Sequence, residues 1–135
     1  MITLSDNIAA NLLIDRIGMS QINSELQAMG MKHTVLQRKM MDSQAKERGL
    51  DNYTSAGDMQ KLMKAILESS FRGDILDILF RQQCNNKLPA LMEGGVRFAH
   101  KTGDLPGVEH DAGIICTDDR EIIAIVLTAV SYTHL

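Results

Sequence analysis

The chain has 135 residues, of which 44% are hydrophobic and 23% charged, and its formal net charge is −3. That length and balance predict one domain with a real hydrophobic core and exclude a disordered chain. The slight acidity excludes a whole-protein basic field for nucleic acid, leaving only a local patch open. Two cysteines, Cys84 and Cys116, are too few for a disulfide framework or an all-cysteine zinc site. No apolar run reaches the roughly 18 residues that a membrane helix needs.

The first residues, Met1-Ile2-Thr3-Leu4-Ser5-Asp6-Asn7, lack the basic and apolar regions of a signal peptide. A helical pattern starts almost at once. Ile8, Leu12, Leu13 and Ile17 recur at helical spacing and predict a helix over 6–18, with Gly18 as its stop. Ser20 is read as the cap of a second helix ending near Gly30. Residues 33–52 are charged and weakly periodic. Met59, Leu62, Met63, Ile66 and Leu67 predict an amphipathic helix over 58–68, and Ile75, Leu76, Ile78, Leu79 and Phe80 another over 74–84. The nine methionines read as core filling.

After Pro89 the texture changes. Strands are predicted over 96–102, 112–117 and 121–130, with turns over 103–107 and 117–120. Such short connections make the strands antiparallel neighbours. The expected class is α+β: a helical lobe over 1–90, a three-stranded meander over 91–130, and an unrelated or truncated tail over 131–135. The patterns begin and stop abruptly, so both ends read as cuts. A lone meander leaves an edge uncovered, and the isolated chain is expected to be poorly stable.

Two tripeptides carry the chemistry. Ser5-Asp6-Asn7 opens a helix and by itself reads as an N-cap. Lys101-Thr102-Gly103 closes a predicted strand and by itself reads as a turn entry. Together, in this order, they resemble the S-D-N and K-T-G signatures of class A β-lactamases and penicillin-binding proteins. The run Ile8-Ala9-Ala10-Asn11-Leu12-Leu13 resembles the helix that follows S-D-N in that family, and His100 precedes K-T-G on its strand. Asn52-Tyr53-Thr54-Ser55-Ala56-Gly57-Asp58-Met59 is similar to the family's exit from its Ω loop. The resemblance covers residues 1 to about 130.

The resemblance implies a serine hydrolase acting on a β-lactam, or a related amide or ester bearing a carboxylate, through an acyl-serine intermediate. Ser5 matches the hydroxyl that relays a proton to the leaving nitrogen, and Asn7 the amide that holds the substrate's side-chain amide. Asp6 matches a structural carboxylate at the helix start. Lys101 matches the cation that attracts the substrate carboxylate and lowers the barrier for Ser5. Thr102 adds a hydroxyl to that carboxylate, Gly103 lets backbone approach the ligand, and the Asp104 N–H is one oxyanion donor. His110 stands where the family often places a further cation. No cofactor, metal, nucleic acid or membrane segment is implied, and family members are periplasmic or secreted.

Two departures narrow this reading. The family's nucleophile comes from S-x-x-K, upstream of S-D-N. The one match here, Ser43-Gln44-Ala45-Lys46, lies after it and reads as chance. Nor does a glutamate occupy the window 39–41, where class A enzymes place the deacylating base; Asp42 is next, and Glu47, with Leu50, falls too late. Losing that base slows acyl-enzyme hydrolysis more than acylation. The alternatives are therefore a penicillin-binding-type acylating protein, a non-catalytic relative that binds carboxylates, and a truncation product without function. His100 alone reads as a partly buried strand histidine, and His110-Asp111 as a possible ion pair near the site. No metal-ligand spacing, P-loop or dinucleotide fingerprint occurs.

Overall fold

Asp6 starts the first helix: its carboxylate accepts the Ala9 N–H at 2.7 Å, the capping bond that a short acidic side chain makes with orphan helix donors. The computed structural model describes residues 1–129. They form α1 (Asn7–Ile17), α2 (Met19–Ala28), α3 (Ser43–Glu47), α4 (Ala56–Glu68), α5 (Arg72–Phe80), a 3-10 turn (Leu88–Leu91), β1 (Arg97–Leu105), β2 (Val108–Cys116) and β3 (Glu121–Ala129). The α+β expectation is met. The tail over 131–135 and the end of the third strand at Val130 lie outside the described residues. By contacts the chain divides into two units, Met1 with Asp6–Leu62, and Ile2–Ser5 with the chain from Met63 onward.

In the first unit, Gly18 both ends α1 and begins α2. Its φ of +90° suits a residue without Cβ, its N–H donates to Ile14 O, and its carbonyl accepts from Ile22 N. Ser20 therefore lies inside α2 rather than capping it. The weakly periodic stretch has a non-periodic solution. Three asparagine side chains each bracket one backbone residue through both amide atoms: Asn23 at Leu36, Asn11 at Met40 and Asn52 at Arg38. These pairs satisfy backbone groups that neither helix nor sheet serves. A single bridge joins Val35 to Tyr53, Asp42 caps α3, and the Arg38 guanidinium pairs with Asp51 at 2.7 Å.

Asp58 is the polar centre of this unit, with 1% of its surface exposed. Its carboxylate accepts from His33 N at 2.6 Å, Thr34 Oγ1 at 3.0 Å and Lys61 Nζ at 3.0 Å. Burial pushes its pKa up, but Lys61 and the two hydrogen bonds outweigh that and hold it below the ordinary value.

In the second unit, the strands pair antiparallel in the order β1-β2-β3. Leu105 pairs with Val108, so the hairpin turns on Pro106-Gly107 alone. Proline presets the first turn residue, and Gly107 adopts φ +74°. The broad turn expected over 103–107 is thus mostly strand, and Lys101-Thr102-Gly103 lies within β1 rather than at its end. Gly113 has no room for a side chain, since a Cβ there would meet Ala99 O at 2.2 Å. Helix α5 stops at Phe80, short of Cys84. The buried Gln82 side chain accepts from Gln83 N and Cys84 N and donates to Ile2 O at 3.0 Å. That bond and the Gln83 N–H, which donates to Thr3 O at 3.1 Å, tie residues 2–3, just before Ser5, to the end of α5. The core here is Met63, Leu76, Leu79, Phe98, Ala99, Ala112 and Ile114. Met31 and Met63 are buried as expected of methionine, whereas Met29 and Met41 are exposed.

Candidate active site

Ser5 adopts φ +52°, a left-handed conformation that costs a non-glycine residue about 1–2 kcal/mol. Strain of this kind persists where surrounding contacts over-determine it. Here the fixing contact is Lys101, whose ammonium donates to Ser5 Oγ at 2.5 Å and to Thr102 O at 2.5 Å. Lys101 comes from the middle of β1 and is half-buried. Burial lowers its pKa from the ordinary 10.5, against the attraction of Cys84, Asp104 and Asp111, and the Lys87 ammonium adds to the lowering.

Thr102 faces away from Lys101, as strand alternation requires. Its hydroxyl is buried with no hydrogen-bond partner among the described residues. Gly103 pairs with His110 across the hairpin, and a Cβ on Gly103 would lie 3.5 Å from the His110 side chain. His110 Nδ1 accepts from Thr128 N at 3.1 Å. Asp104 is exposed, and its carboxylate pairs with Lys87 Nζ at 2.5 Å. Asp6 and Asn7 belong to the first unit, where Asp6 caps α1 and Asn7 is its first residue, exposed.

The expected His110-Asp111 ion pair does not form. Asp111 points to the opposite face and pairs with His100 Nδ1 at 2.7 Å. Its second oxygen accepts from Leu88 N at 3.2 Å, and His100 Nε2 faces Asn85 Oδ1 at 3.1 Å. His100 and Asp111 are 1% and 2% exposed, so the histidine is fully rather than partly buried. Lys87, also unread in the sequence, donates to Gly103 O at 2.9 Å and His110 O at 3.3 Å. The signal for the His100–Asp111 pair was the hairpin register: placing the turn at Pro106-Gly107 sets Thr102 opposite Asp111 and His100 two residues along the same face.

In the first unit, the S-x-x-K match sits on α3 with Ser43 exposed and Lys46 3.9 Å from Asp51. Met40 is held by Asn11, and Met41 is exposed with φ +65°. Glu47 is an exposed residue at the end of α3. Among the described residues, no group of three or more His, Cys, Asp or Glu is placed to hold a metal ion.

Comparison with known proteins places the chain in a family. The model of the "Beta-lactamase2: Beta-lactamase enzyme family" matches residues 1–134. The chain belongs to the beta-lactamase enzyme family. A beta-lactamase from Sphaerobacter thermophilus DSM 20745 is similar at 32% identity and TM-score 0.82, over 95% of this chain and 51% of that one. PBP-A is similar at 33% identity and TM-score 0.85, over 99% of this chain and 51% of that one. A mutant of PBP-A, solved as an acyl-enzyme complex with penicillin-G, matches at the same identity. A class A beta-lactamase from Bacteroides cellulosilyticus DSM 14838 shares the fold at 20% identity and TM-score 0.75, over 93% of this chain and 51% of that one. This beta-lactamase-family chain spans about half the length of those solved relatives. No curated protein matches it.

Proposed function

We propose that the protein is a β-lactam-acylated serine hydrolase whose acyl-enzyme turns over slowly. The observation that carries this reading is the Lys101–Ser5 contact, a half-buried ammonium at 2.5 Å from a hydroxyl held in a strained conformation. A hydroxyl both accepts and donates, so Ser5 is suited to pass a proton to the leaving nitrogen. An ammonium beside it stabilises developing negative charge on the oxygen and attracts a substrate carboxylate. In the same reading, the Asp104 N–H is an oxyanion donor, Asn7 holds the substrate's side-chain amide, and His110 lies beside Gly103 as an auxiliary contact, whereas the buried Thr102 hydroxyl lies on the face away from Lys101. The reading requires an acyl-accepting serine. Ser43 does not suit, because Lys46 pairs with Asp51 and the motif follows S-D-N.

Slow turnover rests on the window 39–41, which presents Lys39, Met40 and Met41 and no carboxylate to activate water. This favours a penicillin-binding-type acylating protein over an efficient β-lactamase. Family membership supports a β-lactam substrate and a periplasmic or secreted location.

The test is intact-mass measurement of the full gene product after incubation with penicillin-G. A covalent adduct on an S-x-x-K serine, formed at least about 10²-fold more slowly in Lys101→Ala, is the expected result. A product that has such a serine and forms no adduct overturns the reading. A product without one that binds penicillin-G reversibly, and loses this in Lys101→Ala, establishes the carboxylate-binding alternative.

A further inference from the structure

The fully buried His100 offers hydrogen bonds in an unusual direction. Its Nδ1 faces a carboxylate oxygen of Asp111 at 2.7 Å, and its Nε2 faces Asn85 Oδ1 at 3.1 Å. The Asn85 amide cannot be turned to present a donor instead, because its Nδ2 donates to Gln82 O at 3.1 Å. A neutral imidazole has one donor and one acceptor nitrogen, and either tautomer would oppose two acceptors. Opposite an ionised Asp111, only the imidazolium satisfies both. The Phe98 ring stacks on it at 4.6 Å between centroids, and the face of an aromatic ring favours a cation. Asp111 supplies the countercharge, as a charge this deeply buried requires.

This couple grips the segment between α5 and β1 on both sides of Lys87, through Asn85 before it and through the Leu88 N–H on Asp111 Oδ2 after it. The Lys87 ammonium donates to Gly103 O. That carbonyl belongs to the peptide unit whose other end is the Asp104 N–H. In a trans peptide the two ends point in opposite directions, and no cis peptide occurs among the described residues. Holding Gly103 O therefore aims the Asp104 N–H away from Lys87, and a cation on the carbonyl polarises the N–H as a donor.

We propose that His100 is a positioning residue, a buried imidazolium that with Asp111 and Asn85 fixes Lys87 on the Gly103 carbonyl and so orients the Asp104 N–H for the developing oxyanion. The inference rests on the acyl-transfer reading for its kinetic part and on geometry alone for the rest. An oxyanion donor acts in the transition state, so its misalignment lowers maximal rate rather than affinity.

The test uses the full gene product. Imidazole 15N NMR of the unaltered protein is expected to show protons on both His100 nitrogens. His100→Gln and Lys87→Met are each expected to move the Asp104 amide 15N resonance. Each is also expected to lower the maximal acylation rate by penicillin-G about tenfold, with the half-saturating concentration unchanged and most of the rate restored in Lys87→Arg. A neutral His100 ring, or wild-type acylation in Lys87→Met, overturns the proposal. If His100→Gln does not fold, Lys87→Met and the unaltered protein still decide it. If the unaltered protein is never acylated, the acyl-transfer reading fails, while the NMR measurements still judge the clamp.

Discussion

Lys101 is held where burial disfavours its charge. Burial lowers its pKa from 10.5, so folding favours its neutral form more than the unfolded chain does. The consequence for stability has a definite sign. Between the folded value and 10.5 the unfolded chain binds more protons, and stability rises with pH there. Lys101→Met is expected to remove that alkaline rise in pH-dependent denaturant unfolding. An unchanged slope would mean that burial does not disfavour the ammonium. Ser5 is the other half of the contact. Ser5→Ala is expected to slow acylation by about 10²–10⁴, the usual worth of a positioned proton-transfer group, and stopped-flow mixing with a chromogenic β-lactam measures it.

At the level of elements, the structure depends on close approaches and clamps. Gly113 on β2 admits the Ala99 carbonyl and His100 backbone where a Cβ would stand. Gly113→Ala is expected to destabilise the protein by about 1–3 kcal/mol through overpacking, read as a lower urea midpoint at unchanged slope. An unchanged midpoint would show that β1 and β2 separate freely. In the first unit, Asp58 joins the start of α4 to His33 and Thr34. Its pKa is lowered from 3.8 despite burial, so its stabilisation is fully present above 3.8 and is lost as pH falls through the folded value. Asp58→Asn is expected to flatten the acid limb of the stability profile, which thermal melts from neutral to acid pH would detect. The sequence hid Asp58 because an acidic residue in a first helical turn is ordinarily a solvated helix-dipole partner. Its burial depends on a loop that arrives from 25 residues upstream.

For the whole molecule, the question is how acylation and deacylation are balanced. In the proposed reading, acylation draws on Ser5, Lys101 and the Gly103–Asp104 peptide. The window where class A enzymes place their deacylating base holds Met40, clamped by Asn11, and an exposed Met41. A penicilloyl adduct is therefore expected to persist well beyond its formation time, followed by mass spectrometry after removal of free penicillin-G. Prompt return to the unmodified mass would locate a deacylating base elsewhere.

The amino-acid order by itself determined the α+β class, four of the five helices and the three strands to within about four residues, and the family, because periodicity and contiguous tripeptides are local properties; the short α3 has no such period. It also singled out Ser5 and Lys101 as partners. What tertiary structure decided were pairings between distant or differently facing groups. His100 and Asp111 lie on one face because the hairpin turns on two residues instead of five, and a shift in register moves every side chain to the other face. Lys87 reaches Gly103 because Gln82 ends α5 early and sends the chain back along β1. The asparagine clamps over 35–40 have no period to read. Each arises from one side chain meeting one backbone residue, which only the folded path brings together.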